Sequence, residues 1–314
     1  MSWMNRIEAA RRFGAMAALL VGLSAGPLAA AEQDQKVFAT PEEAAKALLD
    51  AAKADDYKSA LIAVLGPQAD EIVSSGDDVA DKQALAQFVA SAAQVTRLEK
   101  DGADKVTLVF GREDWPFPIP LVHEQAGWRF DTAAGEEEIL DRRIGRNELG
   151  AIDVCRAYVR AQKEYASADR DGSGVMKYAQ RIGSSPGKRD GLYWPAVGGE
   201  PLSPFGPMVA DAVAEGYGKK SSDKPNPYHG YLYRVLTAQG SHAPGGAYSY
   251  VINGNMIGGF ALVAYPVDYG NSGVMTFIVN QQGIVYQKDL GDDTDAIAGK
   301  MSSYDPDSTW EKVE

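Results

Sequence analysis

Twice along this chain, residues that are apolar at helical spacing give way to short stretches that alternate at period two. That order constrains the fold more than any single motif. A helix of this kind buries a stripe and a short strand buries one face, so each half must pack helices on antiparallel strands, an α+β arrangement. In the first half, Thr40-Pro41-Glu42-Glu43 sets a helix start: Thr40 to cap, Pro41 at the first helical position, Glu43 to close a capping box. Ala45, Leu48, Leu49 and Ala52 follow at helical spacing. Further helices are predicted over 57–65, ended by Gly66-Pro67, and over 81–93, with Leu85, Phe88 and Val89 on one face. The period then changes. Residues 95–99 and 105–110 read as extended around an Asp101-Gly102 turn. The alternating prolines of 115–120 (WPFPIP) cannot donate to a ladder, which places that segment on an edge or in a bulge. Residues 121–124 and 128–131 flank 125–127 as a hairpin.

The second half repeats the order. Residues 136–147 are highly charged and read as a junction. A helix is predicted over 148–167, with Asn147 as its cap and Leu149, Ile152, Cys155 and Val159 as its apolar face. Residues 183–226, rich in Gly, Pro and Ser, read as loop with one short helix over 207–215. Strands are predicted over 231–236, 248–252, 260–265, 274–279 and 284–288, the last two joined tightly through Asn280-Gln281-Gln282-Gly283. The expected organisation is two helix-then-sheet domains, 32–146 and 147–314, joined by a long helix.

Residues 1–31 have the layout of a secretory signal peptide. Arg6, Arg11 and Arg12 precede a short apolar core over 13–23, and Ala29-Ala30-Ala31 fits the small-residue cleavage pattern. The core is about half the length a membrane-spanning helix needs, so the expectation is cleavage, no transmembrane anchor after processing, and a periplasmic or secreted protein. The formal net charge is −12, and removing a basic leader makes the rest more acidic. Phosphate backbones repel such a chain, which argues against nucleic acid as a partner. A single cysteine, Cys155, cannot close an internal disulfide, so the fold must stand on its cores. Its place in an apolar helical pattern marks it as a buried hydrophobe.

Several segments carry a family resemblance: 165–172 (YASADRDG), 185–194 (SPGKRDGLYW), 227–231 (PYHGY), 243–248 (APGGAY), 258–264 (GGFALVA) and 269–277 (YGNSGVMTF). On these the chain resembles an exported proteobacterial family known as domain of unknown function 2950, which implies an envelope location and brings no activity. At the level of fold, the N-terminal half looks like the NTF2-like proteins, a curved sheet wrapped on helices around a pocket. The C-terminal half looks like the globular head of type IV pilins and pseudopilins, though the long apolar helix those need for assembly is missing. Fold likeness does not decide function.

The sharpest local motif is Asp169-Arg170-Asp171-Gly172-Ser173-Gly174-Val175-Met176, which follows a helix as an EF-hand loop does. Asp169, Asp171 and Ser173 fall at ligand positions one, three and five, Gly174 at the turn, and the Val175 carbonyl at position seven. Position twelve is Gln180 where a bidentate Glu belongs, so the motif reads either as a weak Ca2+ site or as an Asp/Gly turn held by side chain to backbone bonds. His123, His229 and His242 have no zinc spacing, and no G-x-S-x-G elbow is present. A Cys155–His229 pair would need an accessible, electropositive thiol. Tyr193, Trp194, Tyr228, His229 and Tyr231 could line a groove for a peptide or glycan of an envelope partner, or pack as a satellite core. The function expected is a non-catalytic binding or structural module of the envelope, with Ca2+ as candidate cofactor. The alternatives are a periplasmic hydrolase, or a small-ligand carrier with an apolar cavity lined by Trp115, Phe117 and Trp128.

Overall fold

The structure is a computed structural model that describes residues 35–196, 202–215, 217 and 227–313. The expected signal peptide, and parts of the expected 183–226 loop, lie outside the described residues. Those described belong to one compact unit, 33–314.

The first core is built on four helices and one sheet. Helix α1 (Pro41–Ala52) starts as its sequence dictates, with the Glu43 N–H donating to Thr40 Oγ1 at 3.2 Å. The Glu43 carboxylate reaches back to the N–H of Ala39, one residue before the cap. Helix α2 (Tyr57–Leu65) ends at Gly66, whose φ of +95° suits glycine. A 3-10 turn (Pro67–Ala69) and α3 (Asp70–Val73) follow, which the loop-like Gly-Pro start concealed. Helix α4 (Asp78–Gln94) begins three residues earlier than the apolar pattern, because Asp77 caps it through the N–H groups of Val79 and Ala80. Strands β1 (Thr96–Lys100), β2 (Lys105–Phe110), β3 (Trp115–Pro116), β4 (Leu121–Glu124) and β5 (Gly127–Phe130) form one antiparallel sheet in the order β1-β2-β4-β5. The proline-rich β3 adds only two residues to β2. Phe38 exchanges both backbone bonds with Trp128, so the chain just before α1 lies along β5. Leu48, Leu65, Leu108, Phe110, Ile119 and Phe130 fill this core.

Helix α5 (Thr132–Tyr165) is much longer than its apolar stripe suggests. It starts 16 residues before the expected 148, and the charged stretch 136–147 is helix rather than a junction. Charge does not oppose helix on a solvated face, and Glu138 pairs with Arg142 one turn on. The expected 146/147 boundary therefore falls inside a continuous helix. Helix α6 (Gly206–Ala214) follows the loop region.

The second core takes the C-terminal half of α5. Strands β6 (Tyr231–Leu236), β7 (Ala238–Gln239), β8 (Tyr248–Ser249), β9 (Val251–Ile252), β10 (Asn255–Met256), β11 (Ala261–Pro266), β12 (Met275–Asn280) and β13 (Val285–Asp289) come next. They are followed by α7 (Thr294–Ala298), β14 (Ser303–Tyr304) and β15 (Glu311–Lys312). The main sheet is antiparallel, in the order β15-β13-β12-β11-β6. Every residue of β11 is buried, which explains why its sequence, ALVAYP, is apolar without alternation: α5 and α7 both pack against it. The predicted strand 248–252 breaks into β8, in a small sheet with β7 and β14, and β9, in a hairpin with β10. The α+β class read from the sequence is the class of the structure.

Polar bonds stitch the two cores together. Arg143 donates to the carbonyls of Glu71 and Ile72 and to the side chain of Asn271. Asn271 donates to the Ser74 carbonyl at 2.9 Å. Asn147, expected as a cap, is mid-helix and donates to the Ser272 carbonyl at 2.9 Å. Asp77, 1% exposed, accepts from both the Tyr217 hydroxyl and the Gly230 N–H at 2.9 Å.

Candidate functional site

A cavity of ≈ 250 Å³ opens between the helices and the sheet of the first core. Its wall is mostly apolar: Leu48, Leu61, Leu65, Leu85, Phe88 and Phe117 all face it. The helices bring these together because each places its apolar stripe toward the sheet. Of the three aromatics expected around such a cavity, Trp115 and Phe117 line it. Trp128 does not: it sits near the start of β5, its ring 5.0 Å from His123 on the neighbouring strand.

Polar groups enter this wall at Tyr57, Asp81 and three arginines of α5, Arg142, Arg143 and Arg146. The Tyr57 hydroxyl is sealed from bulk solvent and has no hydrogen-bond partner among the described residues. Burial raises its pKa, so it is a neutral donor. Asp81 accepts from the Ser75 hydroxyl at 2.6 Å and from the Ser75 N–H at 3.2 Å, with the Lys58 ammonium 3.6 Å away. Burial raises its pKa, against the pull of Ser75 and Lys58. Burial also pulls Arg143 below its ordinary value, opposed by Asp81. The sequence reading missed these groups. The signal available was Arg146 at i+4 from Arg142 and i+3 from Arg143, which makes it a surface neighbour of both once 136–147 is read as helix. A broader concavity along α1 is lined largely by alanines and by Lys46 and Asp50, which pair with each other at 2.6 Å.

The Asp169 loop is well formed, and its oxygens already have partners. Asp169 accepts from the N–H groups of Ser173 and Gly174 at 3.1 and 2.8 Å. The Lys177 ammonium lies 2.7 Å from Asp171, 3.0 Å from Ser173 Oγ and 2.9 Å from Asn255 Oδ1. Lys177 thus places a cation among the side-chain oxygens that the motif reading assigned to Ca2+. Val175, whose carbonyl completed that reading, is half-buried. Gln180, at the closing position, donates its amide to the Gly254 carbonyl at 2.8 Å instead of presenting a carboxylate. Among the described residues, no three His, Cys, Asp or Glu side chains gather where they could hold one metal ion.

Of the five residues read either as a groove or as a satellite core, two are core. Tyr231 is fully buried and donates to the Met275 carbonyl at 2.9 Å. Trp194 is 7% exposed, packed on Tyr165. These two rings are core, because the strand entry and the loop before α6 both turn inward. Tyr193 is half-buried and pairs with Gly183. Tyr228 and His229 stay together beside Tyr217, with the His229 ring 4.1 Å from that of Tyr228 and its Nε2 3.4 Å from Glu215. His123 lies on Trp128 and His242 on Asp305, 3.0 Å away, so the three histidines have separate surroundings. Cys155 is fully buried, and burial pushes its thiol up to about 12.

The fold and cavity define an α+β protein with a partly open, mainly apolar chamber and three arginines of one helix on its wall. The chain belongs to the family described as protein of unknown function (DUF2950), whose model matches residues 35–313. No curated protein and no solved structure matches the chain, so the NTF2-like and pilin-head likenesses gain no structural neighbour. Among the described residues, no helix is long and apolar enough to cross a membrane.

Proposed function

We propose that this protein is an exported, non-catalytic binding module of the cell envelope, and that the cavity of its first core takes a small apolar ligand. The observation that carries the reading is the cavity itself, ≈ 250 Å³ and walled mainly by apolar side chains of α1, α2 and α4. The volume, ≈ 250 Å³, lies just under the ~300–1,000 Å³ of drug-sized sites, so the ligand is small. The hydrolase alternative has less support. The only thiol is buried, and none of the three histidines is among the residues that line the cavity. A calcium-stabilised form of the module would require Ca2+ to displace Lys177.

The test is fluorescence of the neutral dye N-phenyl-1-naphthylamine with the mature protein. The dye should brighten with wild type and stay dark with Leu85→Trp, which fills the cavity, provided circular dichroism shows that variant folded. Equal signals from the two would defeat the reading. Export is tested separately, by fractionating cells that express the full chain: processed protein belongs in the periplasm or medium, and unprocessed protein in the cytoplasm would refute it.

A further inference from the structure

We infer that the ligand of this cavity carries an anionic head on its apolar body, and that Arg146 reads that head. The inference rests on the cavity being a ligand site.

Arg142, Arg143 and Arg146 share the cavity wall, but their surroundings differ. Arg143 is committed to the fold, through the Glu71 and Ile72 carbonyls and Asn271. Arg142 is paired with Glu138 and stacked over Trp115, 5.9 Å from the ring centre. Arg146 has no hydrogen-bond or ion-pair partner among the described residues, and its side chain is exposed at the cavity's edge. A guanidinium keeps its charge at any relevant pH and offers a planar fork of donors to a carboxylate or phosphate.

The acidic group on the same wall does not cancel it. The Asp81 carboxylate accepts from Ser75 twice over and has Lys58 beside it. Across the wall, Arg142 is balanced by Glu138, and Asp81 by Lys58, which also contacts Asp78 at 3.0 Å. Because Lys58 is shared by two carboxylates, the half-buried Arg143 is offset by Asp81 as well, which leaves Arg146, open to solvent, as the positive charge at the cavity's edge. An acidic protein whose apolar chamber has a cationic edge suits a short-chain amphiphile with one anionic end. The volume equals roughly eight waters of liquid, so an eight-carbon chain is a fair probe.

The experiment displaces the bound dye from the mature protein with octanol, octanoate and octyl phosphate. The two anions should displace it at about tenfold lower concentration than octanol, the worth of one charge-assisted contact. Arg146→Gln should bring the octanol-to-octanoate displacement ratio to about one, and Arg146→Lys should keep part of the preference. The ratio between octanoate and octyl phosphate tells a carboxylate ligand from a phosphate one. Equal displacement by all three compounds, or a preference that survives Arg146→Gln, overturns the anionic head and leaves the apolar cavity standing. A wild-type protein that never binds the dye overturns the cavity reading, and this inference with it.

Discussion

The Lys177 ammonium stands 2.7 Å from the Asp171 carboxylate and is held there by Ser173 and Asn255 as well. The contact joins the Asp169 loop to the β9–β10 hairpin. Lys177→Met should therefore destabilise the protein by about 1–3 kcal/mol, read as a lower urea midpoint. In wild type, about 1 mM Ca2+ should leave the melting temperature unchanged, because the ion must displace a bound ammonium from a loop with only two carboxylates. A Ca2+-specific rise would return the loop to the metal reading.

The same carboxylate makes stability depend on pH. Hydrogen bonding and charge from Lys177 hold Asp171 down at about 2, against about 3.9 when unfolded. Its contribution is fully present above pH ~4 and is lost as pH falls toward ~2. Urea midpoints measured between pH 5 and 2 should fall less steeply in Lys177→Met than in wild type.

His242 shifts the opposite way. Asp305 accepts from the His242 N–H at 2.8 Å and lies 3.0 Å from its ring, raising the pKa of the imidazole. Whatever stability this pair adds is present below the unfolded value of ~6.5 and lost as pH rises through the folded one. Proton NMR titration should place the His242 midpoint above ~6.5, and Asp305→Asn should lower it.

Asp77 holds three elements at once: the start of α4, Tyr217 and Gly230. Asp77→Ala removes a cap worth about 1 kcal/mol and strands two donors, at about 1–3 kcal/mol each. A loss of about 3 kcal/mol or more in urea unfolding is expected, and clearly less for Asp77→Asn, which can still cap. A double-mutant cycle with Tyr217→Phe should give a coupling of about 1 kcal/mol. Gly230→Ala should also cost more than about 1 kcal/mol, since its φ is +72° and a Cβ would lie 2.5 Å from Asn147 Nδ2.

Cys155 should ignore thiol reagents in the native protein. It is fully buried, with its pKa pushed up to about 12. Labelling by a soluble aromatic disulfide should follow the urea unfolding transition; prompt labelling in buffer would show that the helix opens locally.

What the sequence determined by itself was local and periodic. The start of α1 follows from Thr40, Pro41 and Glu43, and β2 from the run KVTLVF, because caps and strand patterns act over a few residues. The α+β class follows from the change of period, and the buried cysteine from its neighbours at helical spacing. The tertiary structure decided where groups far apart in the chain meet. The cavity needs Tyr57, Phe88, Phe117 and Arg146 from four separate segments, and no spacing encodes that meeting. The Asp169 motif read as either a weak metal loop or an Asp/Gly turn because its own residues have that spacing, while Asn255, from a distant hairpin, helps to hold Lys177 among its oxygens. Tyr231 and Trp194 could have lined a groove or packed as a satellite core, because composition does not tell a loop that turns inward from one that faces solvent; they are core. Burial is a property of the assembled fold, set by what lands on the other side of each side chain, and only the packed structure supplies it.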